Sequence, residues 1–317
     1  MRSIRTPYVA VAIALVGFLA APNSLCAQTK KIVFVAGPKD HGAPGRHEYE
    51  KDLRTLAYSL EHASNLKGVV TKVYVGQVPR DLNEIKDAAV IVLESSAEKI
   101  TRETHALFAN NTTTDGMSYG PDETAFLKGF DELLQKGMGL VVFHYSTQVG
   151  NATGKELLQN WLGGGWKDRF STNPVDDWAM APAPGAEKHP ILQGVKPWNY
   201  HEEVFCKFFF PPETQTTPLL VGTPAKSSIG AQVASWAYER KGGGRSLVMG
   251  GLDWHSNMQI EDNRRFLLNA IVWAAGMQVP AGGVQSAIPA DMYPGFRRHG
   301  WQAILIVSPA SFSAGSG

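Results

Sequence analysis

Lys31-Ile32-Val33-Phe34-Val35-Ala36-Gly37-Pro38 is the stretch on which the fold turns. Five apolar residues run without a polar break and then meet Gly-Pro, which stops extended structure. A continuous apolar run of this length reads as a strand covered on both faces, as parallel strands are. The same grammar returns at Ala88–Leu93 and Leu140–Phe143, and a second, alternating strand is expected over Val69–Val75. Between these runs the spacing changes to helical. His47 to Ala63 carries Tyr49, Leu53, Leu56, Ala57, Leu60 and Ala63 on one face. A helix from Asp122 to Lys136 carries Phe126, Phe130, Leu133 and Leu134, and Gly137 ends it. Strands alternating with helices imply an α/β protein, doubly wound, with a mostly parallel sheet and helices on both faces.

The remainder is less regular. Asp81-Leu82-Asn83-Glu84 has capping-box form and predicts a short helix, and the polar stretch 95–121 reads as a surface insertion. A helix near Lys155–Leu162 runs into Gly163-Gly164-Gly165. Later strands are expected at Val204–Phe210, Pro218–Val221, Val233–Tyr238 and Ser246–Met249, and a last helix at Asp262–Ala275.

The 317 residues are 44% hydrophobic and 19% charged, with a formal net charge of +1. That near-neutral balance gives no electrostatic reason for a nucleic-acid or anionic-membrane partner. Arg2 and Arg5 precede an apolar run, Val9 to Ala21, which is short for a membrane span and suits a secretory signal. Cleavage after Leu25-Cys26-Ala27 would leave a mature chain starting near Gln28, in the periplasm or outside the cell; an uncleaved anchor is the alternative. The expected organisation is a signal over 1–27, one domain over 28–284 and a loosely ordered tail over 285–317. Of two cysteines, Cys26 goes with the signal, and Cys206, in an apolar run, reads as packing rather than as a nucleophile.

In an open parallel sheet, ligands bind beyond the carboxyl ends of the strands. That rule selects His41 after the first strand, His144 after the fourth and His255 beyond Ser246–Met249. His41 is a site residue or a solvated loop residue; His144 is a site residue or a core histidine with a buried hydrogen bond. Asp253, two residues before His255, could fix its tautomer and raise its basicity. His201-Glu202-Glu203 offers an imidazole beside two carboxylates that face opposite ways in a strand, so one of the two enters a site; a solvated strand start is the other reading. His47 and Glu48 lie near the same edge, as site or structural residues. His62, His105, His189 and His299 are set aside.

The chain has no His-Glu-x-x-His, no CxxC pair and no Gly-x-Ser-x-Gly elbow. The glycine runs 163–165 and 242–244 lack the strand–loop–helix order of a dinucleotide site, so no nucleotide cofactor is expected. A divalent metal on dispersed His and Glu is open. Trp161, Trp166, Trp178, Trp198 and Trp254 fall in or near expected loops, where indole faces suit sugar rings or serve as core.

The stretches Lys31–Gly37, Gly139–His144, His189-Pro190-Ile191, Glu202–Phe205 and, above all, Gly243–Gly251, His255, Asn257 and Arg265–Gly276 resemble the ThuA-like (trehalose utilisation) family over about residues 31–284. The resemblance implies a class I glutamine amidotransferase-like, flavodoxin-like fold and a link to carbohydrate use. His144-Tyr145-Ser146 stands where an amidotransferase carries its Cys, which argues against thiol chemistry. Asp253-Trp254-His255 stands where family members often have His-aromatic-His. On these grounds the expected function is an exported enzyme acting on a sugar or an oxidised glycoside. His255, Asp253 and His144 would be catalytic; His41, His201, Glu202, Glu203 and Trp254 would bind ligand. A non-catalytic carbohydrate-binding or complex-forming protein, and a metal-dependent hydrolase of other substrates, stand beside it.

Overall fold

A computed structural model describes residues 29–97, 105–108 and 119–288; the expected signal over 1–27 and nearly all of the 285–317 tail lie outside the described residues. The first apolar run forms strand β1 (Lys30–Ala36), followed by helix α1 (Tyr49–Glu61) and β2 (Val69–Val75). Then come β3 (Ala88–Glu94), α2 (Pro121–Gln135), β4 (Gly139–Phe143) and α3 (Ala152–Leu162). The second half contributes β5 (Val175–Pro182), β6 (Trp198–Glu203), β7 (Thr216–Pro224), β8 (Gln232–Glu239), β9 (Arg245–Met249) and α4 (Glu261–Ala274). The nine strands make one sheet in the order β2-β1-β3-β4-β9-β8-β7-β5-β6.

Because side chains alternate across a strand, β3 serves two cores. Val90 and Val92 pack with α1 and α4, while Ile91 and Leu93 pack with α2 and α3. Helices therefore cover both faces of the parallel half, as the unbroken apolar runs require. Helix ends are fixed locally: the Asn151 side chain accepts from the amides of Thr153 and Gly154, and Gly163, at φ 73°, closes α3 in the left-handed conformation. Two buried indoles are anchored by hydrogen bonds, Trp161 to Asp131 at 2.7 Å and Trp236 to the Leu162 carbonyl at 2.8 Å.

The mostly parallel sheet holds for one half only. β2, β1, β3, β4 and β9 pair in parallel, whereas β9, β8, β7, β5 and β6 pair antiparallel. Connection length explains the change. β8 turns into β9 within Arg240–Gly244, and β7 reaches β8 across 225–231; a parallel return needs a crossover of a dozen residues or more. β9 is the seam, parallel to β4 and antiparallel to β8.

Other expectations are corrected. Residues 204–210 form no long strand and make only isolated bridges, Thr172 with Cys206 and Gly165 with Phe209; β6 ends just before them. The Asp81 cap starts a single 3-10 turn, Leu82–Glu84. The supposed surface insertion is not all surface: His105, Ala106, Leu107 and Phe108 are fully buried. Trp161, Trp178 and Trp198 are buried in α3, β5 and β6, so none offers a face to a sugar.

Candidate functional site

β1 stands where the chain reverses direction across the sheet, between β2 and β3, so a crevice opens past the ends of β1 and β3. The loop after β1 folds back onto the loop after β9. The amide of His47 donates to the Asp253 carbonyl and that of His255 to the Gly45 carbonyl, both at 2.9 Å. Glu48 braces the first loop, accepting from the Gly45 amide and Lys39 Nζ. Glu202, fully buried, braces the second: its Oε1 accepts from the amides of Asp253 (3.0 Å) and Glu203 (2.9 Å), and its Oε2 from Asn257.

This scaffolding gathers four ligand-bearing side chains from four different segments. One nitrogen or oxygen from each of His47, His144, Glu203 and Asp253 lies within 4.8 Å of all the others. His144 follows β4 directly, and its Nδ1 is 3.1 Å from the Gly250 carbonyl. A carbonyl only accepts, so Nδ1 carries the proton and Nε2 a lone pair; Nε2 is buried with no partner. His47 Nδ1 contacts Tyr49 Oη at 3.1 Å, and its Nε2 lies 3.2 Å from Asp253 Oδ1. Arg46 binds the outer oxygens, its Nε donating to Asp253 Oδ2 at 2.6 Å and its Nη2 to Glu203 Oε2 at 2.9 Å. Asn173 donates to the remaining Glu203 oxygen at 2.7 Å.

Burial sets the charge states. It pushes the His47 imidazole down to about 2, helped by His144 and His41, and the His144 imidazole down to about 3. Both rings are neutral at pH 7 and offer lone pairs without proton competition. Burial raises the carboxyls of Asp253 and Glu203, and Arg46 pulls both back. Two imidazoles and two carboxylates suit a divalent first-row metal. His144 Nε2, which has no partner, and Asp253 Oδ1, 3.2 Å from His47 Nε2, are the atoms such an ion would take up. His47 (φ 51°) and His144 (φ 49°) both hold left-handed backbone, which non-glycine residues rarely adopt.

Of the residues chosen from sequence, His144, Asp253 and Glu203 meet in the cluster, and the His41 ring lies 4.1 Å from that of His47. His255 sits on the same rim, but its partner is not Asp253. Asp52 on α1, fully buried, places Oδ1 2.6 Å from His255 Nδ1, because Asp253 is turned to Arg46 and His47. His201 pairs instead with Asp177 at 2.7 Å, on the half-exposed side of β6. Glu202 is a loop anchor with no exposed atom for a ligand. Trp254 carries the Arg46 guanidinium 4.3 Å over its ring, so that face is taken. Cys206 is buried, and burial pushes its thiol up to about 12.

Arg46, Asp52 and Glu94 were not singled out from sequence. Glu94 closes β3 at the crevice; both carboxyl oxygens are buried without a hydrogen-bond partner, and burial next to Asp52, Glu202 and Asp253 raises its pKa well above the ordinary value. An acid ending an apolar strand was its legible signal. For Asp52 the signal was a charge on the apolar face of α1, three residues after Tyr49.

A family model for ThuA, trehalose utilisation, matches residues 64–274. No curated protein matches the sequence. Solved structures share the fold. A ThuA-like protein from Parabacteroides merdae aligns with a TM-score of 0.52 at 14% identity, over 82% of this chain and 98% of its own. One from Bacteroides uniformis gives 0.51 at 15% identity, over 81% and 95%. A cytoplasmic protein from Salmonella typhimurium LT2 gives 0.51 at 13% identity, over 77% and 99%.

Proposed function

We propose, from the premise that this chain belongs to the ThuA family of trehalose-utilisation proteins, that it is an enzyme acting on a sugar or an oxidised glycoside, with a divalent metal held by His47, His144, Asp253 and Glu203. The observation that carries this reading is the convergence of four ligand atoms within 4.8 Å, with a buried, unpartnered imidazole nitrogen among them. The five parallel strands and their helices correspond to a flavodoxin-like core with this cluster over its crevice.

A metal there would polarise a substrate carbonyl or hydroxyl. The chain supplies the rest. Asp52 Oδ1 accepts from His255 Nδ1, which leaves the lone pair on Nε2 and makes His255 the proton acceptor and donor. Arg46, hydrogen-bonded to both Asp253 and Glu203, fixes the two carboxylates relative to each other and balances one of their charges. His41, beside His47 and 5.7 Å from the Tyr145 ring, lines the approach.

Replacing His255 by Ala lowers turnover of a responsive glycoside or keto-glycoside by about 10²-fold or more, with the circular dichroism spectrum unchanged and the thermal midpoint lowered, because buried Asp52 loses its partner. Equal turnover removes His255 from the mechanism. Arg2, Arg5 and the apolar run Val9–Ala21 support export; the mass of the secreted chain then corresponds to a start near Gln28.

A further inference from the structure

We propose that the loop Trp166–Asn173, with Lys207 beside it, is a docking platform for an acidic carbohydrate at the mouth of this site. The proposal rests on the carbohydrate reading above and adds the charge class of the substrate.

The loop is built to hold a shape. Gly164 allows its entry, since a Cβ there would meet the Phe210 ring at 2.6 Å and the Phe209 carbonyl at 2.9 Å. The bridges Gly165–Phe209 and Thr172–Cys206 pin both ends. Inside the arch the Lys167 amide donates to Ser171 Oγ at 2.9 Å, and Ser171 Oγ donates to the Lys207 carbonyl at 2.8 Å. Both ends also reach the metal-type cluster. Trp166 packs on Phe205, ring centroids 5.1 Å apart, and Phe205 packs on His144 at 4.6 Å. At the other end Asn173 is the hydrogen-bond donor to Glu203.

What the arch shows to solvent is an aromatic ring between ammonium groups. Phe170 is 45% exposed. Lys207 Nζ lies 5.5 Å from its centroid and Lys167 Nζ 5.9 Å, the latter also 4.4 Å from Phe209. The acid in the loop, Asp168, is engaged by Lys155 and by the Trp166 indole. Among the described residues, no carboxylate pairs with Lys167, Arg169 or Lys207.

Backbone strain distinguishes this patch from an ordinary solvated one. Five non-glycine residues among those described have positive φ: His47, His144, Leu252, Arg169 and Lys207. The first three build the cluster or precede Asp253; the other two are basic residues of the platform. Each such residue costs on the order of 1–3 kcal/mol and tends to persist at functional sites. The part of the Phe170 ring left exposed beside these ammonium groups suits the apolar edge of a sugar ring, and the two ammonium groups, with no carboxylate partner among the described residues, suit a carboxylate or sulfate on that sugar.

Calorimetric titration of the full-length mature protein with tetragalacturonate and with maltotetraose tests this. Tetragalacturonate is expected to bind at least tenfold more tightly at low salt, with the gap narrowing as ionic strength rises. Lys167→Gln with Lys207→Gln removes the gap and leaves maltotetraose binding unchanged, whereas Phe170→Ala weakens both. Equal affinity for the two sugars, or a gap that survives the double lysine variant, overturns the platform and leaves the enzyme reading intact. Equal binding of poly-glutamate and tetragalacturonate overturns it in favour of an acidic protein partner. Binding of neither sugar, with His255-dependent turnover of some other substrate, sinks the platform; binding of neither with no turnover sinks the carbohydrate reading itself.

Discussion

Replacing Asp52 by Asn isolates one buried charge and its dependence on pH. Asp52 has no solvent exposure; Oδ1 meets His255 Nδ1 at 2.6 Å and Oδ2 has no partner. Burial pushes its carboxyl from an ordinary 3.8 up to about 6, with His255 pulling in the opposite direction. A carboxyl whose folded pKa is raised contributes stability that is complete below its unfolded value and is lost as pH climbs through the folded one. At about 1.4 kcal/mol per pH unit, that gap amounts to about 3 kcal/mol, lost between roughly pH 4 and pH 7. Asn cannot ionise and still offers His255 an acceptor oxygen, so the variant lacks this slope. Buried acids remote from Asp52 are common to both proteins and cancel in the difference; Glu94, whose carboxyl the Asp52 charge helps to raise, and His255, its hydrogen-bond partner, do not, so the slope is read with a Glu94→Gln background as control. Urea unfolding at pH 4, 5, 6 and 7 should show the variant gaining on the wild type by about 3 kcal/mol across the series, roughly 6–12 °C in Tm for a domain of this size. A difference that stays constant, or one that moves in favour of the wild type as pH rises, refutes the reasoning. The second result would mean that the pair with His255 outweighs the desolvation of the carboxylate.

Two further substitutions test the core around the site. Glu94→Gln removes an acid that burial holds protonated; the variant should match the wild type in mildly acidic buffer and exceed it in urea midpoint at pH 8, and identical pH profiles would show that Glu94 has an unseen partner. Gly139→Ala places a Cβ 2.2 Å from the Ala274 carbonyl oxygen, where α4 ends against the start of β4; it should lose about 1–3 kcal/mol or more in chemical denaturation, and a neutral result would mean that α4 can withdraw.

The parallel half of the fold was legible because burial on both faces forces continuous apolar runs, and Ile32–Ala36 and Leu140–Phe143 carry that signature. β5 and β6 were missed for the opposite reason. Each alternates buried and half-buried positions, and Asp176, Asp177, Glu202 and Glu203 interrupt the apolar pattern. The strand-end rule found His144, whose place follows from where β4 stops; Asp253 entered through its closeness to His255 in the chain, and Glu203 through the His201-Glu202-Glu203 cluster. That rule could not assign partners: the proximity of Asp253 to His255 in the chain suggested a pair, but the carboxylate that reaches His255 is Asp52, 203 positions away. His47 was placed near the site edge but left as site or structural, since its entry into the cluster depends on a left-handed backbone turn that no local pattern announces.

The most direct test of the central claim is calorimetric titration of Zn²⁺ or Mn²⁺ into chelator-treated protein, for the wild type and for His144→Ala. One tight site per chain is predicted, weakened in the variant by no less than the roughly 10–100-fold that loss of an outer-shell partner brings. No saturable binding to the wild type, or equal affinity in the two proteins, would contradict the account.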